Sequence, residues 1–369
     1  GPAIDGSKFT SWVAAIPEGA AISLYLHVPF CRRLCWFCAC RTQGTQSDAP
    51  VAAYLQVLKA ELAMLAAILP RGVRLSRLHW GGGTPTLLTG PMITELAAAV
   101  ANVAPFAKDY EFSVEIDPCE VDDARLDALA AAGMKRASIE VQDFDEEIQT
   151  TIGRPQGFDV TRTAVEGIRA RGVKSLNADI LFGLQHQTDA KITDTVQKLL
   201  SFSPDRVALY GYAHVPWMAK RQQMIPSDAL PTPEERLDLF DVARRLFLWD
   251  GFREIGIDHF ALPTDGLAQA QSKGMLKRNF QGYTNDPADV LIGVGASAIS
   301  RFPQGYAQNE SATGAHTGAI RDGRFSVHRG HAFTAEDRLR GRIIEALMCD
   351  FEVIPQEIGA EFAIAPNLV

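Results

Sequence analysis

The chain has 369 residues, 47% of them hydrophobic and 22% charged, with a formal net charge of −8. This is ordinary globular composition, long enough for one large α/β domain with a smaller piece or for two equal domains, and it needs no disulfide staples. The acidic balance excludes a general nucleic-acid partner, which requires a basic surface, but leaves room for a local basic pocket that takes an acidic small molecule.

No run approaches the ~18–20 apolar residues of a membrane span, and the N-terminus carries no secretory signal. A cytoplasmic location with no membrane partner is expected. Gly1-Pro2 reads as a protease remnant, and 1–20 as part of a longer N-terminal segment. A strand is predicted over 22–28, running into Pro29-Phe30 and a cysteine-rich loop. Leu55, Leu58, Leu62, Leu65 and Leu69 recur at three- and four-residue steps before Pro70, the pattern of an amphipathic helix with a stop. A strand over 73–80 is closed by Gly81-Gly82-Gly83-Thr84-Pro85. A helix over 93–103 and a strand over 111–116 follow.

The alternation continues. Helices over 124–132 and 160–171 each end at a glycine, Gly133 and Gly172, typical of helix C-termini. Strands are predicted over 137–141, 176–181 and 206–212, with a helix over 192–202 between the last two. Thr232-Pro233-Glu234-Glu235 opens a helix as a capping box. That helix reaches Trp249, and a seventh strand is predicted over 254–258. The stretch 305–323 reads as a polar connection and 334–349 as a further helix. Strands alternating with helices imply a parallel sheet with right-handed crossovers, either a closed or partial barrel or an open doubly wound sheet. In both, ligands gather at the C-terminal ends of the strands. The polar residues there are His27, the glycine run, Glu115, Gln142, Asp179 and His214.

Four of the six cysteines, Cys31, Cys35, Cys38 and Cys40, fall within ten residues. Clustering of this kind in a large chain reads as metal binding rather than a disulfide framework. The C-x3-C-x2-C spacing directly after a strand favours a [4Fe–4S] cluster on Cys31, Cys35 and Cys38. One iron is then left open to chelate S-adenosylmethionine. A zinc site completed by Cys40 is the competing reading. The glycine run is either a sharp turn or a place where bare backbone approaches a ligand. It is not a phosphate loop, because no Lys-Ser/Thr follows it.

Taken together, SLYLHVPFCRRLCWFCAC, LHWGGGTPT, EIDP, VQDFD, NADILFGL, YGYAHVPWMAKRQ, IGIDHFA, RNFQGYT, GASAIS and GYAQN carry a resemblance over nearly the whole length. The sequence resembles the oxygen-independent coproporphyrinogen III oxidases (dehydrogenases) of the radical S-adenosylmethionine superfamily. Cys40 favours the oxidase branch, since related haem-binding chains typically lack that fourth cysteine. The resemblance implies a partial (β/α)6-type parallel barrel over 21–303, then a connecting region and an incomplete, mostly helical C-terminal domain over 304–369. It implies an enzyme that decarboxylates two propionates of coproporphyrinogen III to vinyl groups without oxygen, giving protoporphyrinogen IX. The expected cofactors are the [4Fe–4S] cluster and two molecules of S-adenosylmethionine. An electron donor such as flavodoxin or ferredoxin, and a monomeric state, are also expected. Alternatives within the resemblance are another radical enzyme of the same branch, such as a methyltransferase or haem-modifying enzyme, and a haem-binding or trafficking relative.

By matching motif positions, Tyr25, Gly82, Glu115 and Ile299 are expected to contact the cluster-bound S-adenosylmethionine. Phe37, Gly83, Thr84, Gln142, Arg154, Asp179 and Ala213 are expected to line the second. Against the family pattern, Glu140 replaces a usual glycine, Leu262 a usual arginine and Gln185 a usual proline. Relatives begin before this chain and continue past Val369. Because Glu140 and Gln142 are two residues apart on a predicted strand, their side chains are expected to share a face. Glu140 is then expected to crowd the second site, with Arg154 as its candidate partner.

Overall fold

Apolar residues at helical spacing alternate along the chain with short β-rich runs, and in the computed structural model, which describes residues 4–369, those runs pair into one twelve-stranded sheet. Strands β1 (Ala21–Val28), β2 (Arg74–Gly82), β3 (Phe106–Ile116), β4 (Arg136–Gln142), β5 (Ser175–Phe182) and β6 (Arg206–Gly211) pair in chain order, all parallel. After α1 (Gly6–Ala14), the crossovers carry α2 (Ala49–Ile68), α3 (Gly90–Ala101), α4 (Asp123–Ala131), α5 (Glu146–Thr151) with α6 (Phe158–Ala170), and α7 (Asp189–Leu200). Helix α8 (Pro233–Trp249) follows β6 and starts with the expected capping box between Thr232 and Glu235. This is the expected (β/α)6 arrangement. Gly1-Pro2 lies outside the described residues.

Three sequence expectations are corrected. No seventh parallel strand forms over 254–258. Gly256, at φ +59°, breaks the run into β7 (Arg253–Ile255) and β8 (His259–Ala261), and β8 lies antiparallel to both β7 and β6. The seventh parallel strand is β9 (Leu291–Val294), on the other side of β1. Next, 305–323 is not a connection. It forms β11 (Gly305–Asn309) and α10 (Thr313–Arg321), and β11 lies between β10 (Ile299–Phe302) and β12 (Val327–Ala332) in an antiparallel extension of the sheet. The β10–β11 hairpin therefore crosses the boundary expected at 303/304. Lastly, α2 is long and apolar enough to cross a membrane, with a mean hydropathy of 1.6. It is a core helix: Val51, Tyr54, Leu55, Leu58, Leu62 and Leu65 pack into the main core.

Buried Glu61 on that helix ties the extension to the barrel. It stands 3.1 Å from His316 of α10 and accepts from Asn309 Nδ2 and the Gly295 N–H, both at 2.9 Å. Leu262 packs against the same core. After α9 (Gly266–Ser272), the chain ends with α11 (Ala335–Asp350), the helix expected over 334–349 and capped by Thr334, and α12 (Pro355–Phe362).

The N-terminal end of the barrel is closed by charge. Asp265 accepts from Arg206 at 2.8 Å and from Arg136 at 3.2 Å, and Arg136 reaches Glu111 at 3.3 Å. Buried charges persist only when paired in this way. Ligand chemistry is left to the opposite end, where β1 and β2 run into the cysteine loop and the glycine turn.

Candidate active site

Glycine occupies these three positions because three different groups press on them. A Cβ on Gly81 would stand 2.6 Å from Glu115 Oε1, one on Gly82 2.7 Å from the His27 ring, and one on Gly83 2.6 Å from the Phe30 carbonyl oxygen and 3.0 Å from Cys31 Sγ. Gly82 also has φ +117°, a conformation that a side chain disfavours. The turn thus touches the cysteine loop on one side and the barrel wall on the other. The run is a sharp turn, as one of the two readings had it, and protein groups approach its bare backbone closely.

Glu115, next to last in β3, accepts the Gly82 N–H at 2.9 Å through Oε2 and meets His79 Nε2 at 3.1 Å through Oε1. Burial pushes its carboxyl up, but the hydrogen bond and charge of His79, with the Gly82 N–H, more than offset this and hold it below the usual carboxylate range. Asp179 of β5 accepts from Asn177 Nδ2 at 2.8 Å, and burial with repulsion from Glu115 pushes it up to about 7. Tyr25 hydrogen-bonds His27 Nδ1 at 2.8 Å. Tyr25, Glu115 and Asp179 line one interior cavity of about 290 Å³ with His79, Ser113, Ser138, Asn177 and Tyr210.

The other expected residues divide into separate groups. Phe37 and Ala213 are joined by buried Gln222, whose Nε2 donates to the Phe37 carbonyl at 2.8 Å and the Ala213 carbonyl at 3.0 Å. The Thr84 N–H donates to the Phe30 carbonyl at 2.7 Å. Ile299 opens β10, with its backbone packed on Gly293. Arg154 is buried and reaches Cys35 Sγ at 3.4 Å, Glu140 Oε2 at 3.2 Å and Asp117 Oδ2 at 3.5 Å.

Glu140 and Gln142 do not share a face in the simple way expected. A β-bulge lies between them: Glu140 is opposite Asp179, Gln142 is opposite Ile180, and Gln142 has φ +67°. The extra residue cancels the two-residue periodicity on which the expectation rested. The pairing of Glu140 with Arg154 is as expected.

All six cysteines are free thiols. Cys31, Cys35 and Cys38 lie on the loop between β1 and α2, with the Cys40 N–H donating to Cys38 Sγ at 3.4 Å. Burial holds Cys31 up at about 11 and raises Cys35, where Arg154 partly offsets it, whereas hydrogen bonding from Cys40 draws Cys38 down to about 6. Among the described residues no three His, Cys, Asp or Glu side chains already stand in a metal-holding arrangement. The donor set fits an iron–sulfur cluster nonetheless: three thiols on one loop, a cation against one sulfur, and a glycine admitting another. Two buried polar atoms without partners, Arg154 Nε near Cys35 and Asn177 Oδ1 in the cavity wall, add capacity for a polar cofactor.

Comparison with known proteins agrees. The radical SAM superfamily profile matches residues 25–199. The oxygen-independent coproporphyrinogen III oxidase of Paracoccus denitrificans is 69% identical over 96% of this chain and 79% of its own length. The chain belongs to the oxygen-independent coproporphyrinogen III oxidase family. The Cereibacter sphaeroides family member is 60% identical over 100% of this chain and 82% of its own. The solved coproporphyrinogen III oxidase of Escherichia coli, described as a radical SAM enzyme, superposes with a TM-score of 0.92 at 36% identity, covering 97% of this chain and 82% of that one.

Within this family the [4Fe–4S] cluster and S-adenosylmethionine are the common cofactors, and the C-x3-C-x2-C loop is the feature that was legible in sequence. Sequence reasoning missed His79, Ser113, Ser138 and Asn177. His79 carried one usable signal, a polar residue between Leu78 and Trp80 on a strand, which points it to the opposite side from its apolar neighbours.

Proposed function

We propose that the chain converts coproporphyrinogen III to protoporphyrinogen IX by oxygen-independent oxidative decarboxylation of two propionates, a step of haem biosynthesis. The observation that carries this reading is the Gly81–Gly83 turn, which touches Cys31 on one side and Glu115 on the other. Cluster loop and cavity wall thereby share one rigid element, as a reaction joining both would require. When bound, the cluster and S-adenosylmethionine supply one-electron radical chemistry.

Cys31, Cys35 and Cys38 would hold the cluster, and Tyr25, Gly82, Glu115 and Ile299 the first S-adenosylmethionine. The ionised Glu115 carboxylate suits the methionine ammonium, and the Gly82 backbone leaves space for it. Phe37, Gly83, Thr84, Gln142, Arg154, Asp179 and Ala213 would line a second S-adenosylmethionine. There Asp179 can accept from ribose hydroxyls and Arg154 can pair with a carboxylate in fork geometry. In this chain Glu140 already occupies part of the Arg154 guanidinium, so the second site is the weaker. The free thiols suit a reducing cytoplasm, with an electron donor of flavodoxin or ferredoxin type and a monomeric enzyme.

The test is anaerobic reconstitution, reduction with dithionite, and incubation with S-adenosylmethionine and coproporphyrinogen III. Protoporphyrinogen IX should form, and should fail to form with Cys35→Ala. Tight haem binding with no decarboxylation would contradict the reading.

A further inference from the structure

We propose that His79 is a positioning residue for the cofactor site, holding the Glu115 carboxylate in place and giving it a fixed hydrogen-bond donor. The inference rests on the reading of Glu115 as a ligand to S-adenosylmethionine and adds a residue to it. His79 touches three groups at once. Its Nε2 is 3.1 Å from Glu115 Oε1, its Nδ1 is 2.6 Å from Ser113 Oγ, and its ring stacks on Tyr25 with centroids 5.7 Å apart and planes 16° apart. Ser113 lies two residues before Glu115 on β3, so both ring nitrogens are tied to one strand while the ring sits on its neighbour, β2.

The arrangement fixes the imidazole. A Ser113 hydroxyl donating to Nδ1 sets the tautomer that carries its proton on Nε2, which donates to Glu115. This is the logic by which an outer partner orients a ligating side chain. The two oxygens of Glu115 then have distinct partners: Oε2 takes the Gly82 N–H and Oε1 takes His79. The carboxylate cannot rotate without breaking one of them, and Glu115 lines the cavity.

The surroundings explain why such support matters. Glu115 shares the barrel interior with Glu140 and Asp179, and both of those are driven towards their neutral forms by burial and by the charge of Glu115. Of the three, Glu115 alone is held below the usual range, and His79 makes the leading favourable contribution. A site for a cofactor that carries an ammonium and a sulfonium needs at least one carboxylate kept ionised where water is excluded. The stacking against Tyr25 extends the same restraint to a second expected cofactor contact.

The test measures S-adenosylmethionine binding to the anaerobically reconstituted full chain by equilibrium dialysis, with iron content determined for each sample. His79→Leu should weaken binding about tenfold or more at unchanged iron content, the loss expected for a hydrogen bond to a charged group. His79→Gln, whose amide nitrogen can donate in place of Nε2, should recover most of it. Ser113→Ala, a gentle change should His79→Leu fold poorly, should weaken binding by roughly two- to fivefold. In a Glu115→Gln background, His79→Leu should add less than about twofold, because the two residues act as one unit. Wild-type affinity in His79→Leu, or a full-sized loss in the Glu115→Gln background, would overturn the role of His79 while leaving Glu115 a ligand. Unchanged affinity in Glu115→Gln alone would overturn the reading of Glu115 itself, and this role with it.

Discussion

Replacing Glu140 with glutamine should flatten the pH dependence of folding stability. The Glu140 carboxylate lies 3.2 Å from Arg154 Nη1. Even so, burial, with repulsion from Glu115, Asp117 and Asp179, pushes it from 4.5 up to about 8 against the attraction of Arg154. A carboxyl whose folded pKa exceeds its unfolded value takes up a proton on folding between those two values. The folded state therefore loses stability as pH rises from about 4.5 to about 8. At pH 7 the loss spans about 2.5 pH units at about 1.4 kcal/mol each. The side chain keeps 26% of its exposure, so solvent trims this to about 2–3 kcal/mol. Glutamine keeps an oxygen that can accept from Arg154 and removes the titration. Asp179, raised to about 7, titrates in both proteins. Between pH 5 and 7 the slope should fall from about two protons to about one, that is, by about 1.4 kcal/mol per pH unit. The two proteins should be nearly equal at pH 5 and differ by about 2–3 kcal/mol at pH 7. Urea unfolding of the metal-free chain at pH 5, 6, 7 and 8 measures this. An unchanged slope in the glutamine variant would refute the reasoning.

Releasing Arg154 altogether with Glu140→Gly should raise the equivalents of S-adenosylmethionine bound by the reconstituted chain, at unchanged iron content; equal stoichiometry in the two proteins would contradict the weakened second site. Alanine at Cys31, Cys35 or Cys38 should abolish the absorption near 400 nm and the bound iron, whereas Cys40→Ala should retain both. Gly83→Ala forces a Cβ to 2.6 Å from the Phe30 carbonyl oxygen and 3.0 Å from Cys31 Sγ. It should cost about 1–3 kcal/mol of stability and lower cluster content, read by urea unfolding and iron assay; normal values for both would count against the close packing of turn and loop.

Much of the barrel was legible because the β/α units repeat a physical pattern: a short β-branched or apolar run, then apolar residues at helical spacing, closed after α4, α6 and α8 by glycine. The failures lie where that pattern lapses. Glu254 to Asp258 reads as continuous strand, but Gly256 turns the chain back, and the resulting three-residue strands are held by neighbours rather than by local propensity. In β11 the buried faces are Gly305, Ala307 and Asn309, too small or too polar to register as a strand. Helix α10 is polar, and its buried His316 is held by Ser326 at 2.6 Å and by Glu61, which lies on a helix far earlier in the chain.

The site divides in the same way. Glu115 and Asp179 were readable as polar residues on strands that end at the ligand face, and Tyr25 only through the family resemblance. The bulge after Glu140 was not, since one added residue in a strand leaves no mark in composition. Nor were the contacts of His79, which depend on the register between β2 and β3.

The most direct measurement of the central claim uses coproporphyrinogen III deuterated at the β-carbons of its propionates. Under anaerobic turnover with S-adenosylmethionine and dithionite, the account predicts deuterium in the 5′-deoxyadenosine released, with protoporphyrinogen IX as product. Product formation with unlabelled 5′-deoxyadenosine would contradict it.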